Sequence, residues 1–501
     1  MDDFIIIVDK LSDWQPYYPT ESLVTAKDYL FNQNYQGSKN LRIINLSKKY
    51  KYLSSGYYCS LLAEARNHRI IPNLKTINDL SKKRIYISDI DDLQLVSEQM
   101  LKKYQHIQDN VVMISFKVYF GQTKIPEFKK LASDIYTYYP VPILEVRLNF
   151  DKVWKINSII PSSLSDLKVD DEEFFGKSLE KYSNRIWRLP KEHKQYIYDL
   201  AVLQDPEEEL CPSNPKALEK FKNACESKSI YCEFITKKDL SRINEFDALF
   251  IRETTSISNH TYRFAKKAES EGLIVIDDAD SMLKCTNKVF VAELMDRIGV
   301  ANIPSSFVSD AANETIESLE NKFGYPMVVK IPDGSFSIGV KKAENKEELV
   351  SILEVMLNKS DLILIQKFVY TKFDWRIGVF DGKGLYACKY FMSNDHWQIY
   401  NHKKDQADDE FSGDSQSLKI SDVPKKVLET AIKASNSIGR GLYGVDLKED
   451  DAGNVYVVEI NDNPNIDDGI EDLVLGQKLY DIIVEWFIQK IEKKKHPRQV
   501  K

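Results

Sequence analysis

Glu459 and Asn461 stand on alternate positions in VYVVEINDNPNIDDGIED, residues 455–472, where an apolar strand turns abruptly polar. Side chains alternate along a strand, so these two share a face. The preceding segment, LYGVDLKED, also reads as a strand, and DDAGN joins the two as a hairpin. With the turn centred between Ala452 and Gly453, Asp446 falls opposite Glu459. Two carboxylates and an amide oxygen on one face are hard oxygen donors. They suit Mg²⁺ or Mn²⁺, which completes its shell with water and phosphate oxygens. Strand-end polarity alone would set Asp446 against Glu459 at a cost, because like charges directly opposite destabilise a sheet, so the pair asks for a cation. Val458 and Ile460 are expected on the other face, in packing. An EF-hand is excluded: counted from Asn463, position six is Asp468 rather than Gly, and position twelve is Val474 rather than Glu.

The second chemical stretch is VVKIPDGSFSIGVKK, 328–342. A strand carries Lys330, a Gly/Ser-rich loop with Ser335, Ser337 and Gly339 follows, and a second strand closes it. Backbone N–H groups of such a loop can cradle phosphates; a plain hairpin loop is the competing reading. It is not a Walker A loop, because Val340 and Lys341 stand where Lys and Ser/Thr belong and no helix follows. DGKGLYA at 381–387 spells G-x-G-x-x-A, but it lies between two strands and is discarded as a dinucleotide fingerprint. Arg252, at a strand end in FIRETT, could hold a substrate carboxylate bidentately or form an ordinary ion pair. Cys59 and His68 have no acid partner, so a packed cysteine is the better reading.

Three units must position these residues. Residues 1–190 mix strands (FIIIV, LRIINLS, NVVMISFKVYFG, PILEVRLNF) with helices (ESLVTAKDYLFNQ, SSGYYCSLLAEAR). They are rich in tyrosine, including Tyr57, Tyr58, Tyr136, Tyr138 and Tyr139. Residues 195–286 alternate strand and helix, which predicts a parallel, helix-covered sheet with function at the carboxyl ends of its strands. Residues 287–490 pair strands through tight turns, which predicts mainly antiparallel sheets. The last residues, 491–501, read as a basic tail. The fold class is thus α/β followed by α+β.

Composition narrows the function classes. The chain has 501 residues, 43% of them hydrophobic and 29% charged, with a formal net charge of −7. No basic footprint for nucleic acid is present. Six cysteines form no CxxC pair, which suits a reducing compartment. The acidic start MDDFIIIVDK is not a signal peptide, and no apolar run reaches membrane-helix length. A cytoplasmic protein without membrane or nucleic-acid partners is expected.

Taken in order, these motifs resemble the ATP-grasp ligases, and among them the RimK-type ligases most. VVKIPDGSFSIGV, IQKFV…DWRIGVFDGK and GVDL…VVEINDNPNID follow that family's landmarks over roughly residues 195–490. Residues 1–190 resemble the RimK-like ATP-grasp N-terminal domain, 195–286 a pre-ATP-grasp domain, and 287–490 the ATP-grasp domain. The resemblance implies ATP and Mg²⁺ (or Mn²⁺) as cofactors, with an amino acid or a peptide or protein terminus as substrate. It implies that Lys288 and Lys330 contact the nucleotide, with Ser335, Ser337 and Gly339 in the lid. Gln366, Lys367 and Phe368 would form the adenine hinge, and Asp374 would lie near the ribose. Asp446, Glu459 and Asn461 match the metal ligands, with Asn463 just behind them. Arg252, Arg376 and Lys389 are candidates for substrate or phosphate contact. The family's Arg-Ser-Asn stretch is replaced by NDHWQIYNHKK, where His396, Gln398, Asn401 or His402 would stand in. The activity implied is ADP-forming carboxylate–amine ligation. A regulatory nucleotide-binding protein and an ATP-grasp kinase are the alternatives, and the family often forms homo-oligomers.

Overall fold

A computed structural model describes residues 4–14, 22–35, 41–81, 113–151, 153–186, 196–333, 339–392 and 414–495. The chain divides into two compact units: Met1–Tyr198 with Lys238–Glu245, and Asp199–Lys237 with Phe246–Lys501.

The first unit holds a four-stranded parallel sheet in the order Leu23–Thr25, Phe4–Val8, Arg42–Asn45, Arg69–Ile71. FIIIV is buried along its whole length, as a central parallel strand should be. The segment read as one helix from Glu21 divides: Leu23–Thr25 pairs as a strand, and the helix begins at Ala26. Thr25 sets that start, because its hydroxyl accepts the Asp28 N–H as an N-cap. Among the described residues the unit also has a three-stranded antiparallel sheet, Met113–Tyr119, Ile143–Asp151 and Val153–Pro161.

The second unit holds the residues whose types and spacing suggest chemistry. Its first sheet runs Ile274–Ile276, Ala248–Ile251, Tyr198–Leu203, Ile230–Ile235, with parallel pairing around Ala248–Ile251. Two antiparallel sheets follow. One orders Ser305–Val308, Ile363–Lys367, Met327–Lys330 and Val340–Ala343. The other orders Ser415–Leu418, Lys383–Phe391, Phe373–Phe380, Leu442–Glu449 and Val455–Asn461.

One face of the five-stranded sheet is core. Trp375, Ile377, Val379, Tyr443, Val445, Leu447, Val455, Val457 and Ile460 pack there with the helices Lys288–Ile298 and Lys425–Asn436. The other face carries the polar residues. Gly378 and Gly444 are paired on that face. A Cβ on Gly378 would overlap the Tyr386 ring, and one on Gly444 would come within 2.7 Å of Pro464 Cβ. Glycine here lets Tyr386 and the segment after Asn461 lie flat on the sheet. Gly378→Ala is expected to cost about 1–3 kcal/mol through overpacking, read as a lower denaturant midpoint.

The helix Gln477–Lys495 buries Ile483, Val484, Phe487 and Ile491. Ile491 extends the apolar stripe by one turn, so residues 491–495 are helix rather than tail. Among the described residues no helix is long and apolar enough to cross a membrane.

Candidate active site

The hairpin register is Asp446↔Glu459 and Gly444↔Asn461, as the turn arithmetic required. Nearer the turn the register slips by one, with Leu447 facing Val457. This bulge makes Val458 the extra residue. Val455 and Val457 are buried before it and Ile460 after it, so Val458 does not join Ile460 in packing as expected. An unbroken strand would have put Val457, Glu459 and Asn461 on one face. The bulge restores Val457 to the core and leaves Glu459 and Asn461 on the polar face.

Three residues of the sheet form a row across this face, and Lys288 meets its end at Glu459. Arg376 is paired with Asp446 on the neighbouring strand. It donates from Nε and Nη2 to the two Asp446 oxygens, each at 2.7 Å. Glu459 follows across the hairpin, and Lys288 Nζ lies 3.2 Å from its Oε1. Asn461 Nδ2 donates to Asp446 Oδ2 at 3.2 Å, which leaves its carbonyl oxygen as a donor atom for a cation. The cationic compensation that two facing carboxylates demand is therefore supplied in part by Arg376 and Lys288.

Lys288 opens its helix behind the N-cap Asn287, and its backbone N–H donates to Pro332 O at 3.0 Å. That bond ties the helix start to the end of the strand carrying Lys330. Lys288, Lys330, Gln366, Asn302, Val458 and Glu459 line one pocket. Burial pushes the Lys330 ammonium down to about 8, with Lys288 and Lys448 adding repulsion and Glu459 opposing it. Burial would also raise Glu459, but Lys288 and Lys330 outweigh it and hold the carboxylate below its ordinary range. Asp446 goes the other way, because burial raises it more than Arg376 lowers it. A polyanion entering this pocket would meet clustered cations whose repulsion it relieves.

The other candidates separate. Gln366 is buried and donates to Ser305 Oγ at 3.0 Å, whereas Lys367 next to it points outward. Phe368 stacks under Lys342, 5.1 Å from Nζ to the ring centroid. Asp374 lies on the polar face but accepts Lys448 Nζ at 2.6 Å and Thr371 Oγ1 at 2.8 Å. Gly339 adopts φ +78° and accepts the Ile331 N–H. Ser335 and Ser337 lie outside the described residues, as do His396, Gln398, Asn401 and His402.

Two candidates are placed away from this row. Lys389 pairs with Trp375, so alternation puts it on the face opposite Arg376, with Nζ 4.3 Å from the Phe373 ring centroid and 4.8 Å from that of Trp375. Arg252 is fully buried. It donates to Ser213 Oγ, Asn463 Oδ1, Pro464 O and Pro212 O. Asn463 in turn donates to Glu253 O. Arg252 therefore clasps the chain beyond Asn461 to the parallel sheet, and these bonds occupy the donors a substrate carboxylate would need.

Lys448 was missed by sequence reasoning, although its signal is simple: it stands two residues beyond Asp446 and so shares that face. No group of three or more His, Cys, Asp or Glu suited to a metal occurs among the described residues. The donor set is instead two carboxylates and one amide. That fits a Mg²⁺ or Mn²⁺ taking its remaining oxygens from phosphate and water.

Two family models match the chain: the RimK-like ATP-grasp N-terminal domain over residues 26–178 and the D-ala D-ala ligase C-terminus over 294–468. The chain thus resembles RimK-like ATP-grasp proteins in its first part and the D-ala D-ala ligases in its second. The polar row and its pocket lie within or beside the second match. The chain is 27% identical to a probable alpha-L-glutamate ligase of Vibrio atlanticus over 49% of its own length and 77% of that protein. It is 26% identical to one of Psychromonas ingrahamii over 51% and 80%. A D-alanine–D-alanine ligase of Bacillus anthracis complexed with ATP is similar at 17% identity and a TM-score of 0.44, covering 59% of this chain and 99% of that one.

Proposed function

We propose that the chain is an ATP-dependent, ADP-forming ligase that joins an amino-acid or peptide carboxylate to an amine through an acyl phosphate. The observation that carries this reading is the row Arg376–Asp446–Glu459–Lys288, which ends at the pocket holding Lys330 and Gln366. Lys288 and Lys330 would neutralise the phosphates, and Gln366, with backbone groups of Lys367 and Phe368, would read adenine. Asp374 would lie near the ribose and exchange its bond to Lys448 for that contact. Asp446, Glu459 and Asn461 would hold Mg²⁺ or Mn²⁺, which when bound supplies charge neutralisation of the polyphosphate. A substrate carboxylate attacks the γ-phosphate and ADP leaves. An amine then attacks the acyl carbon and phosphate leaves. Positioning and charge stabilisation supply most of the acceleration.

The relatives named probable alpha-L-glutamate ligases make L-glutamate the first substrate to try on either side of the new bond. The test is incubation with ATP, Mg²⁺, L-glutamate and amino-acid mixtures, with ADP, phosphate and new amide followed by mass spectrometry. ADP that forms only with a carboxylate and an amine, together with an amide, supports ligation. Nucleotide binding without turnover on any mixture points to a regulatory protein, and a phosphorylated product without amide to a kinase. Lys330→Ala is expected to raise the KM for ATP roughly 10- to 100-fold, the loss of a charge-assisted contact. An unchanged KM would remove Lys330 from the nucleotide site.

A further inference from the structure

The acidic run IDDGIED, 466–472, follows the metal-ligand strand, and its four acids divide in the structure. Asp468 and Asp472 both pair with Lys220, and Asp472 also accepts the Tyr480 hydroxyl at 3.0 Å. Asp467 accepts the Asn214 N–H at 2.7 Å. These three pin the loop. Glu471, 1% exposed, turns instead to the five-stranded sheet, where its Oε1 accepts the Tyr390 hydroxyl. Its Oε2 is held by the Asp467 N–H at 2.8 Å.

Tyr390 pairs with Asp374 and so stands on the polar face. Its ring lies under the Arg376 guanidinium, 5.4 Å to the centroid. Arg376 is the residue bound to Asp446. A phenol backed by a buried carboxylate thus stands one side chain from the proposed metal ligands, where an acyl phosphate would form.

Ligation needs such a group. An amine is protonated at neutral pH, and its nitrogen must shed protons as the C–N bond forms. Resting on the ligase reading, we propose that Tyr390 and Glu471 are the proton acceptor for the attacking amine. The ammonium first gives one proton to water; the neutral amine nitrogen then bonds to the acyl carbon with its lone pair, the carbon–oxygen bond to phosphate breaks, and phosphate leaves with that electron pair. The N–H proton passes to the Tyr390 oxygen as the phenolic proton passes to Glu471, which later releases it to water. The groups facing Glu471 are Tyr386, Cys388 and Tyr390 on one strand, Arg376 on the next, and Asp467 in its own loop. Burial is the largest influence and raises Glu471 to about 7, against the pull of Tyr390 and Arg376. A carboxylate there takes up a proton near neutral pH, which is the match that acid–base catalysis favours.

The test uses the full chain, ATP, Mg²⁺ and L-glutamate, with either an amino-acid mixture or hydroxylamine as the nitrogen nucleophile. Hydroxylamine is unprotonated at neutral pH and captures the acyl phosphate as a hydroxamate without a base. In Glu471→Gln, and in Tyr390→Phe, which keeps the ring under Arg376, the amide-to-hydroxamate ratio is expected to fall about 10²-fold. The rise of the amide rate with pH near 7 should flatten in Glu471→Gln. Wild-type ratios in both variants, or equal loss of both products, overturn the proton-accepting role alone. A wild-type chain that makes no hydroxamate overturns the ligase reading and this proposal with it.

Discussion

Glu459→Gln is expected to cut ATP-dependent amide formation about 10²- to 10³-fold, the loss typical of removing one preorganised electrostatic contact. Glu459 sits at the centre of the row, between Asp446 across the hairpin and Lys288 at its own oxygen. Glutamine keeps the shape and one acceptor for Lys288 but removes the charge a Mg²⁺ ion would need. It also withdraws the anion from beside two buried lysines, Lys288 and Lys330. A stability loss of about 1–3 kcal/mol is therefore expected as well. ADP and amide are followed by mass spectrometry and folding by thermal melting. Wild-type turnover in this variant would sink the metal assignment.

Arg376→Ala should be the most damaging change to the fold of the site. It strips Asp446 of a bidentate partner while leaving the carboxylate buried and facing Glu459. Breaking such a pair costs about 3 kcal/mol. A divalent cation binding Asp446 and Glu459 would supply the missing positive charge. Mg²⁺ or Mn²⁺ should thus raise the melting temperature of Arg376→Ala by more than it raises that of the wild type. Equal shifts, or no shift in either protein, would mean that no cation binds between these carboxylates. Exchanging Asp446 for Asn in the same chain should erase the extra shift.

The pairing of Asp446 with Glu459 was readable because a hairpin's register follows from where its turn closes, and DDAGN marks that place. The helix Lys288–Ile298 starts where Asn287 caps it, its side chain accepting the Val289 and Phe290 N–H groups. The antiparallel character of the last two sheets followed from turn chemistry between strands. The bulge at Val458 was not readable. A slip of one residue depends on which side chains the facing helices bury, and alternation alone assigns Val457 to the wrong face.

Lys389 and Arg252 show the same limit in different ways. Both are cations, Arg252 a candidate from its strand end and Lys389 from the resemblance. Pairing with Trp375 turns Lys389 to the core side of the sheet. Arg252 is occupied by Ser213, Asn463 and the carbonyls of Pro212 and Pro464, partners far from it in sequence. Glu471 is the converse case: an acid without an evident role becomes the partner of Tyr390 because Lys220 and Asn214 take the other acids of its run.

By itself the sequence determined which residues could share a face and which strands could pair, since both follow from local periodicity and turns. Only the tertiary structure decided which cations meet Asp446 and Glu459, because Arg376 and Lys288 reach them across long loops of chain. Local periodicity carries no information about that reach, and burial decides which charges must be paired.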